Sequence, residues 1–191
     1  MESENYVNRT DLLARLDRLL DWIKSCDTKA SIVIAGIGLF LTLFTSENFF
    51  SILKAILTGA FSHLNFSNLL FLICFALAFS LFVYGSYCLI RVLAPRLSSD
   101  VEIMEGMHTD SLYFFESISK NNFREFAEKV RGRNEADDIN DILSQLYINA
   151  KICTVKYTYY SKGIRYGAIG LSTLLILFIL GVILSKAGGF Q

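Results

Sequence analysis

LLFLICFALAFSLFVYGSYCLI, Leu69–Ile90, is the stretch whose reading decides the fold. It holds no Asp, Glu, Lys or Arg, and the charges that bracket it are Lys54 and Arg91. A helix needs about 20 apolar residues to cross a hydrocarbon core of roughly 30 Å, so this run reads as a transmembrane helix. Two more runs qualify on the same grounds. One starts at Ala30 and continues through SIVIAGIGLFLTLFT to Thr45, with no charge between Lys29 and Glu47. The other is YGAIGLSTLLILFILGVILS, Tyr166–Ser185, between Arg165 and Lys186.

The chain has 191 residues, 53% of them hydrophobic, against about 45–50% for soluble domains. Because the excess sits in three runs, the expected fold is all-α: an integral membrane protein with three transmembrane helices and a cytoplasmic helical bundle. The first 29 residues are polar and amphipathic, so the first span is expected to be retained rather than cleaved as a signal peptide. Pro95 is the single proline and should end the second span at Leu93 or Ala94.

Lysine and arginine placement orients the spans. Arg9, Arg15, Arg18, Lys24 and Lys29 precede the first. Only Lys54 lies between the first and second, whereas 11 Lys and Arg fall between Arg91 and Arg165. The expected division is therefore a cytoplasmic amphipathic helix at 1–29, a first span at 30–46 and an outward loop with an interfacial helix at 47–66. A second span follows at 67–93, a cytoplasmic helical region at 94–165, a third span at 166–185 and an outward tail at 186–191. In a bacterium this places the chain in the inner membrane, N-terminus cytoplasmic and C-terminus periplasmic.

Helical spacing organises the polar parts. Leu12, Leu13, Leu16, Leu19, Leu20 and Ile23 form an apolar stripe after Asn8, a candidate N-cap. The 49–61 segment, FFSILKAILTGAF, is too short to span and carries Lys54, which suits a helix lying at the outer leaflet; extension of the first span is the alternative. Phe123, Phe126, Ala127 and Val130 mark a short amphipathic helix, and RGRNEADD at 131–138 reads as a turn with Asn134 as a cap. Ile139, Leu143, Leu146, Ala150, Cys153, Tyr157, Tyr160 and Ile164 then alternate spacings of 4 and 3, a heptad seam running without a breaker into the third span. The seam, Leu143 and Leu146 included, must bury against the 8–29 helix or against a second copy. Gly163 and Gly167 permit a close helix contact at the membrane entry.

Chemistry-bearing motifs are missing. No phosphate-binding GxxxxGK[ST], no GxSxG and no HExxH occurs, so no enzyme is expected. Cys26, Cys74, Cys88 and Cys153 form no CxxC pair, and His63 and His108 have no partner at ligand spacing, which argues against a metal site. No ionisable acid, base or histidine lies within a span, so ion-coupled transport loses support. A formal net charge of zero gives no reason to expect a nucleic acid partner. Asp27 and Lys29 sit where the first helix enters the bilayer; they read as an interfacial acid and a snorkelling lysine, or as a polar hinge beside a gate.

Three blocks carry a family resemblance: WIKSCDTKASIVIAGIGLFL from Trp22, LYFFESISKNNFREFAEKV from Leu112 and LSQLYINAKICTVKYTYYSKGIRYGAIG from Leu143. In order and spacing the chain resembles the transmembrane effectors of Pycsar, the bacterial pyrimidine cyclase antiphage systems. The resemblance implies a partner nucleotide cyclase, cyclic CMP or cyclic UMP as activating ligand, no other cofactor, and impairment of the inner membrane in abortive infection. It further implies that the sensor is the helical region formed by 8–29 and 94–165. On side-chain chemistry the ligand candidates are Lys29, Arg131, Arg133 and Lys156 for phosphate, with Trp22, Tyr157 and Tyr160 for stacking on a base. Homo-oligomerisation through the seam and the small residues of the third span is the expected response. A membrane effector gated by another nucleotide messenger, or a ligand-free membrane scaffold, are the rival readings.

Overall fold

A computed structural model describes residues 8–95 and 110–188. Six helices and no strand are present among the described residues: α1 (Arg9–Phe44), α2 (Glu47–Ser62), α3 (Phe66–Leu93), α4 (Phe115–Ser119), α5 (Phe123–Gly132) and α6 (Glu135–Lys186). Three of them, α1, α3 and α6, are long and apolar enough to cross a membrane. The fold is all-α and the three-span expectation holds.

Helix ends follow from local chemistry. Asn8 accepts a hydrogen bond from the Thr10 N–H at 2.9 Å, closing the start of α1. Asn65 caps α3 by accepting from the Asn68 N–H at 2.8 Å. Asn122 and Glu125 form a reciprocal capping box on α5, and Asn134 accepts from the Asp137 N–H at 2.8 Å at the start of α6. α3 stops at Leu93, with Ala94 extended ahead of Pro95, because the proline ring disfavours helical backbone in the residue before it.

The 49–61 segment is a helix of its own. α1 ends at Phe44 and α2 begins at Glu47, so α2 does not extend the first span. At 16 residues it is about 24 Å long, short of a bilayer core. Its inner face is docked: Ile56 and Ala60 form a buried cluster with Phe71, against Leu72, Leu177, Phe178 and Val182. The Phe49 ring stacks on Phe178 at 4.1 Å. Phe50 and Phe61 on the same helix remain about 60% exposed (61% and 62%), as side chains facing lipid would be.

The chain divides into two compact units, Met1–Cys26 with Pro95–Lys156, and Asp27–Ala94 with Tyr157–Gln191. α1 and α6 each run unbroken from one unit into the other. Within the membrane unit, α3 and α6 meet backbone to backbone. A Cβ placed on Gly170 would stand 2.4 Å from the Phe82 nitrogen, and one on Gly163 would stand 2.7 Å from Leu89 Cγ. Association of spans in lipid relies on such close van der Waals packing, since lipid tails remove the hydrophobic drive. Gly163 and Gly167, read from the sequence as an oligomer contact, thus face α3 of their own chain.

In the first unit the buried face of α6 is Asp141, Ile142, Ser144, Gln145, Ile148, Cys153 and Lys156. Leu143 of the expected seam is 41% exposed, and Leu146 is half-buried. The face turned inward is thus about one residue round from the heptad count. It admits polar Gln145 and Lys156 at 5% exposure each, which a count of apolar letters passes over.

Candidate ligand-binding site

The acidic first turns of α6 organise a site in the first unit. Glu135, Asp137 and Asp138 sit there because negative charge is favoured beside the free N–H groups of a helix start. The turn before α6 is extended at Arg133 (φ −77°, ψ 131°), and its guanidinium reaches forward to Asp141. Arg133 Nη1 donates to Asp141 Oδ2 at 2.7 Å, and the Leu112 N–H donates to the same oxygen at 2.9 Å. Both side chains are out of water, at 11% and 0% exposure. Asp141 Oδ1 is buried without a hydrogen-bond partner.

A second cluster ties the ends of the two long helices. Arg9, the first residue of α1, donates from Nε to Asp138 Oδ2 at 2.6 Å and from Nη2 to the Tyr113 hydroxyl at 3.0 Å. The Tyr113 hydroxyl in turn donates to Asp138 Oδ1 at 2.8 Å. Burial pushes the Asp138 carboxyl up, but the hydrogen bonds from Arg9 and Tyr113 outweigh it and hold the group below the usual carboxylate range. Burial, then the hydrogen bond to Asp138, pushes the Tyr113 phenol up. The hydrogen bond to Asp138 raises Arg9 further.

Arg9, Leu112, Tyr113, Val130, Arg133, Asn134, Glu135 and Asp138 line an open cleft of about 560 Å³. Small-ligand sites run about 300–1,000 Å³ and combine apolar walls with a few placed polar groups. Leu112 and Val130 supply an apolar wall, Tyr113 an aromatic ring, and Arg9 and Arg133 guanidinium groups suited to phosphate. These groups suit recognition of an anion and a ring.

The chain matches the Pycsar effector protein domain, PycTM, over residues 11–184. It belongs to the Pycsar effector family. The Pycsar effector protein GmPycTM of Gulbenkiania mobilis is 28% identical over 204 aligned positions, covering 96% of this chain and 99% of that protein. No solved structure matches. As a Pycsar effector with three spanning helices, the chain is a membrane protein of antiphage defence, and its family is not a known enzyme family.

Of the residues chosen on sequence chemistry in this Pycsar effector, only Arg133 lines the cleft. Arg131 is exposed at the end of α5, Trp22 is 51% exposed on α1, and Lys156 is buried on α6 in the same unit. Lys29, Tyr157 and Tyr160 fall in the membrane unit, as does Asp27. Arg9, Tyr113 and Asp138 line the cleft too, and no motif in the sequence marks them. Arg9 reads there as an orientation charge alone, and Tyr113 lies within the second family block. The available signal was an acidic turn, EADD, in a chain whose first helix opens on an arginine.

Proposed function

We propose that this Pycsar effector senses a cyclic pyrimidine mononucleotide, cyclic CMP or cyclic UMP, made by a partner cyclase, and that the bound form impairs the bacterial inner membrane. Family membership supports the antiphage role, and the arginine-bearing cleft supports sensing in the first unit. The observation that carries the reading is continuity. Arg9 and Asp138 meet at the N-terminal ends of α1 and α6, and both helices continue unbroken into spans.

In this reading the first unit is cytoplasmic, which the lysine and arginine placement supports, and the C-terminus is periplasmic. A ligand shifts an equilibrium only by its differential affinity for the two states, so the nucleotide prefers an assembled, membrane-active state. With Gly163 and Gly167 occupied within the chain, self-association uses outward faces such as that of Leu143.

Thermal unfolding of the full chain in detergent, with cyclic CMP, cyclic UMP, cyclic AMP and a cyclic dinucleotide, tests this. At a hundredfold excess over Kd, one pyrimidine nucleotide should stabilise the fold by about 2.7 kcal/mol. Stabilisation by the cyclic dinucleotide alone would reassign the messenger. No shift with any of the four would overturn sensing.

A further inference from the structure

Among the described residues that line the cleft, both arginines are paired. Arg133 is committed to Asp141, and Arg9 to Asp138, while Glu135 adds a third carboxylate. An anion binding to either guanidinium therefore competes, and can exchange, with the carboxylate already paired there. The two pairs differ in what that exchange leaves behind. Removing Arg133 would strand Asp141, which is fully buried, and uncompensated buried charge is strongly disfavoured. Arg9 is 52% exposed and Asp138 21%, so water can receive the displaced carboxylate.

We infer that Asp138 is a built-in competitor for the ligand's phosphate: it occupies the anion position on Arg9 and sets the affinity of the site. This rests on the sensing reading above. In the resting protein the Asp138 carboxylate accepts from Arg9 and Tyr113, as the anionic cyclic phosphate would. Binding then transfers Arg9 from Asp138 to the phosphate, with the Tyr113 hydroxyl free to donate to either. The same exchange unties the first residue of α1 from the first turns of α6. The ligand's entry and the release of the two long helices are one event, and the threshold for activation is the strength of the Arg9–Asp138 contact.

Calorimetric titration of the full-length protein in detergent with cyclic CMP and cyclic UMP tests the exchange, using wild type, Asp138→Asn, Asp138→Ser, Asp138→Glu and Arg9→Gln. Two neutral variants guard against one that does not fold, and a melting curve is recorded for each. Neutralising Asp138 should tighten the preferred nucleotide about fivefold or more, while lowering the melting temperature. Asp138→Glu, which keeps the carboxylate, should not tighten binding as the neutral variants do, and Arg9→Gln should bind about tenfold more weakly. Binding by the neutral variants when wild type shows none would also support the inference. If wild type binds and the neutral variants bind equally or more weakly, Asp138 is a structural residue and the inference falls while sensing stands. If no variant binds either nucleotide, both fall.

Discussion

Gly85 of α3 and Gly167 of α6 lie so close that a Cβ on Gly85 would stand 2.2 Å from the Gly167 nitrogen and 2.5 Å from its Cα. The reverse substitution meets almost nothing: a Cβ on Gly167 finds only the Gly85 Cα, at 4.0 Å. The contact is therefore asymmetric, because the Gly85 Cβ direction points into backbone and the Gly167 direction does not. Backbone cannot rotate aside as a flexible side chain can.

Gly85→Ala should accordingly destabilise the membrane unit by about 1–3 kcal/mol, the usual cost of overpacking. Gly167→Ala should be near neutral. Gly38→Ala on α1, where no atom lies within 4 Å of the new Cβ, should be neutral too. Melting temperatures in one detergent rank the three variants; equal melting of Gly85→Ala and Gly167→Ala would contradict the close approach.

Arg133→Gln should cost about 3–5 kcal/mol by leaving the Asp141 carboxylate buried without its cation. Adding Asp141→Asn to that variant removes the stranded charge and should recover much of the loss. Denaturant unfolding of the single and double variants checks this. A double variant no more stable than Arg133→Gln would mean that the guanidinium acts by packing alone.

Asp138 makes stability depend on pH with a definite sign. Its carboxyl titrates below the ordinary value of 3.8 because Arg9 and Tyr113, with Arg133 nearby, favour the charged form over burial. A depressed folded value means that the contribution is complete above the unfolded value and is lost as pH falls through the folded one. Stability should thus be flat near neutrality on this account and fall below about pH 4, with exposure of Arg9 keeping the effect small. Asp138→Asn should flatten that acid limb. An unchanged limb in the variant would assign the acid sensitivity to other carboxylates.

Asn122→Ala should cost about 1 kcal/mol by removing the α5 cap, whose reciprocal bond comes from Glu125. Hydrogen exchange of the α5 amides should rise in that variant. Exchange unaltered at α5 would indicate that packing alone holds the helix.

The spans were legible because hydropathy and charge are local. Charge-free intervals located α1, α3 and α6 as spans, Pro95 located the end of α3, and Asn134 the start of α6. The break before α2 lies at Thr45 and Ser46, residues that do not by themselves forbid a continuous helix. The cleft was hidden because its contacts are not local. Arg9 meets Asp138 across 129 positions and Tyr113 across 104. Arg133 was visible as a basic side chain, but its commitment to Asp141 was not, so the sequence suggested free positive charge where the fold has matched pairs. The seam was misplaced in part because Gln145 and Lys156 turn inward while Leu143 turns out. Gly163 and Gly167 were visible as small residues, but their partners on α3 were not.

Membrane breach by a cyclic pyrimidine nucleotide acting on this chain is the step on which the proposed function turns. Release of a trapped dye from liposomes reconstituted with the purified full-length protein measures it directly. Addition of cyclic CMP or cyclic UMP should cause rapid leakage, which cyclic AMP does not cause and for which Arg9→Gln needs about tenfold more nucleotide. Liposomes that stay sealed with both pyrimidine nucleotides, while the protein is folded and inserted, would contradict the account.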